Sequence, residues 1–212
     1  MKRNQKTRNM AMFAMFLAIE LVLLLTPLGY IRTPALSITL MHIPVIACGI
    51  LMGPGYGAAL GLVFGLTSIW NATTAPGPAS FIFSPFVTIG TISGNWSSLV
   101  IALVPRVLLG WLSGVFFNFF TKKMNRPVAA LVTGILATFC HTLMVLGLIA
   151  IFWGPQYASL NGVAENMLLV YLATVILTNG FAEMAAAGII CMALTKAIRP
   201  SMLPNYTKTV KA

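Results

Sequence analysis

Arg106 is the residue best placed to do chemistry, because it lies inside a long apolar run of a chain with very few charges. It sits about eight residues from one end of that run, roughly 12 Å deep at about 1.5 Å per residue. An arginine at that depth needs a partner or a water-filled cavity, and by default it marks a substrate pathway. Two roles fit it. Its planar guanidinium can grip a ligand carboxylate through paired hydrogen bonds, or it can pair inside the protein with Glu20 or Glu183.

The remaining polar side chains of the apolar runs are few. Trp70-Asn71 ends the third run and Asn95-Trp96 opens the fourth, so two such pairs flank one uncharged loop. Tryptophan anchors membrane interfaces and asparagine caps helices. Together with apolar rings, the same groups also line pockets for small polar ligands. His141 and Asn179 fall roughly 18 and 20 Å from the outer ends of their runs at the helical rise. Either is a ligand contact or an interhelical hydrogen-bonding group. Glu183 follows Asn179 by one turn on the same face. His42, near the start of the second run, is expected close to the outer surface. The candidates for binding a substrate are thus Arg106, Trp70, Asn71, Asn95, Trp96, His141, Asn179 and His42.

Catalysis has little to work with. The chain has no aspartate and only three glutamates, scattered as Glu20, Glu165 and Glu183, which argues against magnesium-dependent phosphotransfer. No GxxxxGK[ST], HExxH or GxSxG pattern occurs. Cys48, Cys140 and Cys191 lie in apolar runs without CxxC spacing and are expected to be inert, buried thiols. No catalytic residue, metal site or cofactor is expected, and the chain is not read as an enzyme.

The elements that position these residues follow from composition. The sequence is 58% hydrophobic and 8% charged, with mean hydropathy +0.92, which places it among integral membrane proteins. Its net charge of +10 is a matter of topology rather than of nucleic-acid binding. Apart from Arg32 and Arg106, every basic residue falls before the first run, between the fourth and fifth, or after the last. Alternate loops are therefore basic, and both termini are expected in the cytoplasm.

The expected fold is an all-α integral membrane protein, a six-helix transmembrane bundle forming one domain over 1–212. The spans are read at about 9–28, 37–52, 56–71, 98–120, 128–153 and 167–195. Arg32, in the short external loop Gly29 to Leu36, is read as an interfacial anchor. The first run is long and lacks a small-residue cleavage site, so it is read as a retained span. Spans two and three form a hairpin around Gly53-Pro54-Gly55-Tyr56-Gly57. Gly57, Gly61 and Gly65 recur every four residues, the pattern that lets another helix approach closely in lipid. Ala11, Ala14 and Ala18 also share one helical face, for packing inside the bundle or against a partner. The stretch from Ala72 to Ser97 is too apolar for a solvated linker, so it is read as an external loop folded back over the outer mouth. Gly154 to Asn166 is read as a second external loop.

These residues resemble a known family. HIPVIACGILMGPGYGAALGLVFGLTSIWNA is similar to the hairpin of the substrate-binding (S) components of energy-coupling factor (ECF) vitamin transporters. The Ala11/Ala14/Ala18 face is similar to that family's docking motif for the shared transmembrane coupling protein. The resemblance is clear over Met10 to Ala72, and the size and six-span layout of the rest are compatible with it. Within the family, the hairpin and the Pro105-Arg106 pair look most like the pantothenate members, with folate and riboflavin components the nearest rivals. The resemblance implies a multi-pass protein of a prokaryotic cell membrane that binds a vitamin at its outer face. It would then topple within a complex of one coupling protein and two ATPase subunits, in contact with membrane lipid. Pantothenate would give Arg106 a carboxylate to meet. Two other classes remain: a stand-alone proton-coupled carrier using Glu20 or Glu183, and a membrane enzyme using His141 or His42 beside Glu183.

Overall fold

The computed structural model describes residues 2–26, 29–31 and 38–198. Arg32, most of the loop that contains it, and the basic tail from Arg199 onward lie outside the described residues. The chain forms α1 (Lys2–Leu25), α2 (His42–Met52), α3 (Pro54–Thr74), α4 (Trp96–Phe120), α5 (Arg126–Leu160), α6 (Leu168–Val175) and α7 (Phe181–Ala197). A π-helical turn, Ile176–Gly180, joins α6 to α7. Two antiparallel pairs decorate the connections: β1 (Tyr30–Ile31) with β2 (Ile38–Thr39), and β3 (Thr88–Ile89) with β4 (Ile92–Ser93).

Four helical stretches are long and apolar enough to cross a membrane: Lys6–Leu25, Trp96–Phe120, Arg126–Leu160 and Glu165–Ala197. With α2 and α3 they make six rods, an all-α bundle. The second rod is shorter than its apolar run suggested. α2 has 11 residues, all buried, and spans about 16 Å against about 30 Å of hydrocarbon. Part of the apolar run before it goes instead into β2 and the turn at Leu40-Met41.

The reversal after α2 needs one glycine only. Gly53 adopts φ 101°, ψ 170°, which a side chain disfavours, and its N–H donates to the Gly49 carbonyl at 3.0 Å. Pro54 is already the first residue of α3, where its missing N–H costs nothing. Gly55, Tyr56 and Gly57 are therefore helical rather than part of the turn.

The glycine face of α3 sets the closest helix pair. A Cβ on Gly57, Gly61 or Gly65 would strike the backbone or side chains of Gly110, Arg106 and Ala102–Leu103 respectively. α4 answers in kind: a Cβ on Gly110 or Gly114 would strike Gly57 or Pro54. The two backbones thus touch along about three turns, a dispersion-driven packing available only to small residues in lipid. Gly134 of α5 against Ala187 and Gly188 of α7 repeats the arrangement on the other side of the bundle.

α1 lies at the margin. Phe16 and Glu20, one turn apart, are buried, while Ala11, Ala14 and Ala18 on the opposite face are all exposed. α5 runs past its expected end at Trp153. That residue leaves helical geometry (φ −132°, ψ 17°) and Pro155 follows, after which the helix resumes to Leu160. A proline near the start of a helical segment forfeits no needed N–H, so 154–160 is helical rather than loop.

Candidate functional site

Arg106 sits in the middle of α4 and is 6% exposed. Its guanidinium carbon lies 5.1 Å from the Phe83 ring centre and 5.6 Å from that of Phe64, a pair of cation–π contacts within the usual range. Nη1 donates to the carbonyl of Ile101. Phe64 belongs to the apolar cluster built around α2, and Ile101 to a second cluster of the 81–83 turn, α5 and α6. Arg106 therefore marks the seam between the two halves of the core.

Three further polar groups converge there. The His141 ring is 6.3 Å from Phe64 and lies in electrostatic range of Arg106 and His42. His42 is 1% exposed. It is the first residue of α2, because that helix starts five residues later than its apolar run. Its ring lies beside the Thr39 and Glu183 backbones without reaching hydrogen-bond geometry. Glu183 Oε1 accepts the Thr39 N–H at 2.8 Å, and its carboxylate is in electrostatic range of Arg106. Glu20, the other acid considered for Arg106, is in electrostatic range of Cys48, and neither of its oxygens has a hydrogen-bond partner among the described residues.

The stretch after α3 closes over this group. Phe81 and Ile82 are fully buried, and Phe81 meets Trp153 edge to face at 5.1 Å. Ser98 Oγ donates to the Phe81 carbonyl at 2.7 Å, and the Thr73 and Ser84 hydroxyls bond at 2.7 Å. The stretch thus folds back on the bundle, as its apolar content predicts, and it brings Phe83 onto Arg106.

The remaining candidates divide. Asn71 is half-buried two turns along α3 from Phe64, on the same face. Asn179 is half-buried in the π turn, a local defect that often marks functional positions. The adjoining Gly180 packs near Thr142, the neighbour of His141. Trp70 and Trp96 are 64% and 82% exposed and lie outside the cluster, in keeping with interface anchoring. Asn95 is engaged as the N-cap of α4, accepting from Ser97 N at 2.8 Å and closing a capping box with Ser98. Sequence reasoning missed Phe64 and Phe83. Phe64 falls seven residues before Asn71, a signal visible in the sequence, whereas the approach of Phe83 depends on loop geometry.

The family model for the substrate-specific component of ECF transporters matches residues 8–195. The chain belongs to that family. It is 34% identical over 203 residues to the pantothenic acid transporter PanT of Lactococcus lactis subsp. cremoris, an alignment covering 94% of this chain and 96% of that protein. It is 28% identical over 207 residues to the pantothenate transporter PanT of Leuconostoc mesenteroides, covering 93% and 95%. As an ECF substrate-specific component, the chain is a multi-pass protein of the cell membrane. The family is one of transporters.

Proposed function

We propose that this ECF component binds pantothenate at the outer face of the membrane and passes it inward through an ATP-driven module. The observation that carries the substrate is Arg106. A guanidinium within cation–π range of two phenyl rings, with two buried imidazoles near it, suits a small monoanion that also has apolar bulk. Pantothenate offers one carboxylate for Arg106, an amide and hydroxyls for His141, His42, Asn179 and Asn71, and a gem-dimethyl group for Phe64 and Phe83. Riboflavin lacks the carboxylate, and folate brings two of them with a large flat ring system. The two relatives, both named for pantothenate, support the same choice.

Both termini and the basic turn at Lys122, Lys123 and Arg126 face the cytoplasm in this reading, and the 75–95 connection faces outward. Thr91, at the exposed tip between β3 and β4, reports the sidedness. Thr91→Cys should react with an impermeant maleimide from outside, and Lys122→Cys only after permeabilisation. Labelling of Thr91→Cys from the cytoplasmic side alone would overturn the orientation.

The partners are one transmembrane coupling protein and two ATPase subunits, with Ala11, Ala14 and Ala18 as the docking face. Liposomes holding this chain alone should bind labelled pantothenate without accumulating it. Adding the coupling protein, both ATPases and ATP should start uptake. Uptake by the chain alone, driven by a pH gradient, would instead make it a proton-coupled carrier.

A further inference from the structure

We infer that Pro105 is a positioning residue for the ligand carboxylate, acting through the carbonyl that it leaves open on Ile101. In an α-helix the N–H of residue 105 would donate to the carbonyl of residue 101. Proline has no N–H, yet α4 continues unbroken from Trp96 to Phe120. Ile101 is fully buried, and a carbonyl left without a donor there is costly. The donor is supplied by the very next residue: Arg106 Nη1 donates to the Ile101 carbonyl. The adjacent proline and arginine therefore work as a pair. One creates a buried acceptor, and the other satisfies it with a side chain instead of a backbone group.

The consequence is orientation. A long arginine side chain has many rotamers to lose when it is fixed. Here both of its ends are held in the folded protein. A Cβ on Gly61 would strike the Arg106 carbonyl, so α3 rests directly on the arginine's backbone. At the far end, the Ile101 carbonyl takes one arm of the fork while the Phe64 and Phe83 ring centres lie 5.6 and 5.1 Å from its carbon. A guanidinium fixed before the ligand arrives binds more tightly than one that must be ordered at that moment.

This inference rests on Arg106 holding the carboxylate of pantothenate, and its test separates the two ideas. Pro105→Ala restores the backbone N–H, which then competes for the Ile101 carbonyl and releases the guanidinium. Calorimetric affinities should be measured for pantothenate and its primary-amide analogue in wild type, Pro105→Ala, Arg106→Ala and the double variant, alongside thermal midpoints in detergent. Pro105→Ala should weaken pantothenate binding about 10- to 100-fold, the range of one charge-assisted hydrogen bond. It should change amide binding by less than about threefold, and its thermal midpoint should not fall. In the Arg106→Ala background, adding Pro105→Ala should have no further effect on either ligand. Equal losses for both ligands, an equal loss in the Arg106→Ala background, or unaltered pantothenate affinity would each overturn the positioning role. Should Pro105→Ala fail to fold, Pro105→Gly restores the same N–H and carries the measurement. If Arg106→Ala itself does not distinguish the acid from the amide, the substrate reading fails first.

Discussion

Arg106→Ala is expected to yield a folded protein that binds pantothenate about 2–5 kcal/mol more weakly, the cost of truncating one side of a buried charge pair. Arg106→Lys should recover only part of the loss, since an ammonium lacks the planar fork. An amide analogue should bind wild type poorly yet lose little more in the alanine variant. Such non-additivity is the mark of direct contact. The structural alternative is an ion pair with Glu20 or Glu183. Glu20 is in electrostatic range of Cys48, and Glu183 is in electrostatic range of Arg106. If Arg106 served chiefly to balance Glu183, the alanine variant would lose stability and Glu183→Gln would restore it. Calorimetry with both ligands and thermal unfolding in detergent separate the two outcomes. Additive ligand losses together with stability rescue would sink the carboxylate assignment.

Joint replacement of Ala14 and Ala18 by tryptophan is expected to abolish assembly with the coupling protein and to cut uptake to background. Pantothenate binding by the isolated chain should stay within about threefold of wild type, since independent sites rarely couple. Both alanines are exposed, while Phe16 and Glu20 on the opposite face fix α1 to the bundle. Bulky rings would therefore block close approach of a second helix without entering the buried cluster. Pull-down of the coupling protein, with ligand affinity measured on the same preparation, decides the matter. A parallel loss of ligand binding and assembly would mean that the alanine face serves the bundle's own packing.

How much of this was legible in the sequence depends on whether a feature is set locally. Gly57, Gly61 and Gly65 announce a close helix contact by spacing alone, and the structure places them against α4. Arg106 stands out because a charge in lipid needs a reason. The burial of His42 at the very start of α2 was not legible. Hydropathy measures an apolar run, and it cannot tell that the residues before His42 form a strand and turn instead of a helix. Nor could it find the continuation of α5 past Trp153, since Gly154-Pro155 reads as a stop until tertiary packing carries the helix through. The two rings beside Arg106 were half legible. Phe64 shares a helical face with Asn71, but Phe83 arrives through a connection whose path no periodicity encodes.

The contrast between α1 and α2 bears on how the chain can vary. Every residue of α2 is buried, including both ends, so no side of that helix can drift without disturbing a neighbour. Each substitution there must be matched by a change in α3, α4 or α7, and single steps will mostly be penalised by voids or overlap. α1 has only Phe16 and Glu20 buried among the side chains described, and its outer face is free of such constraints from the bundle. Bundle and docking surface can therefore diversify almost independently. α2 is held by its surroundings on every side, while the peripheral helix is free to change on its outer face.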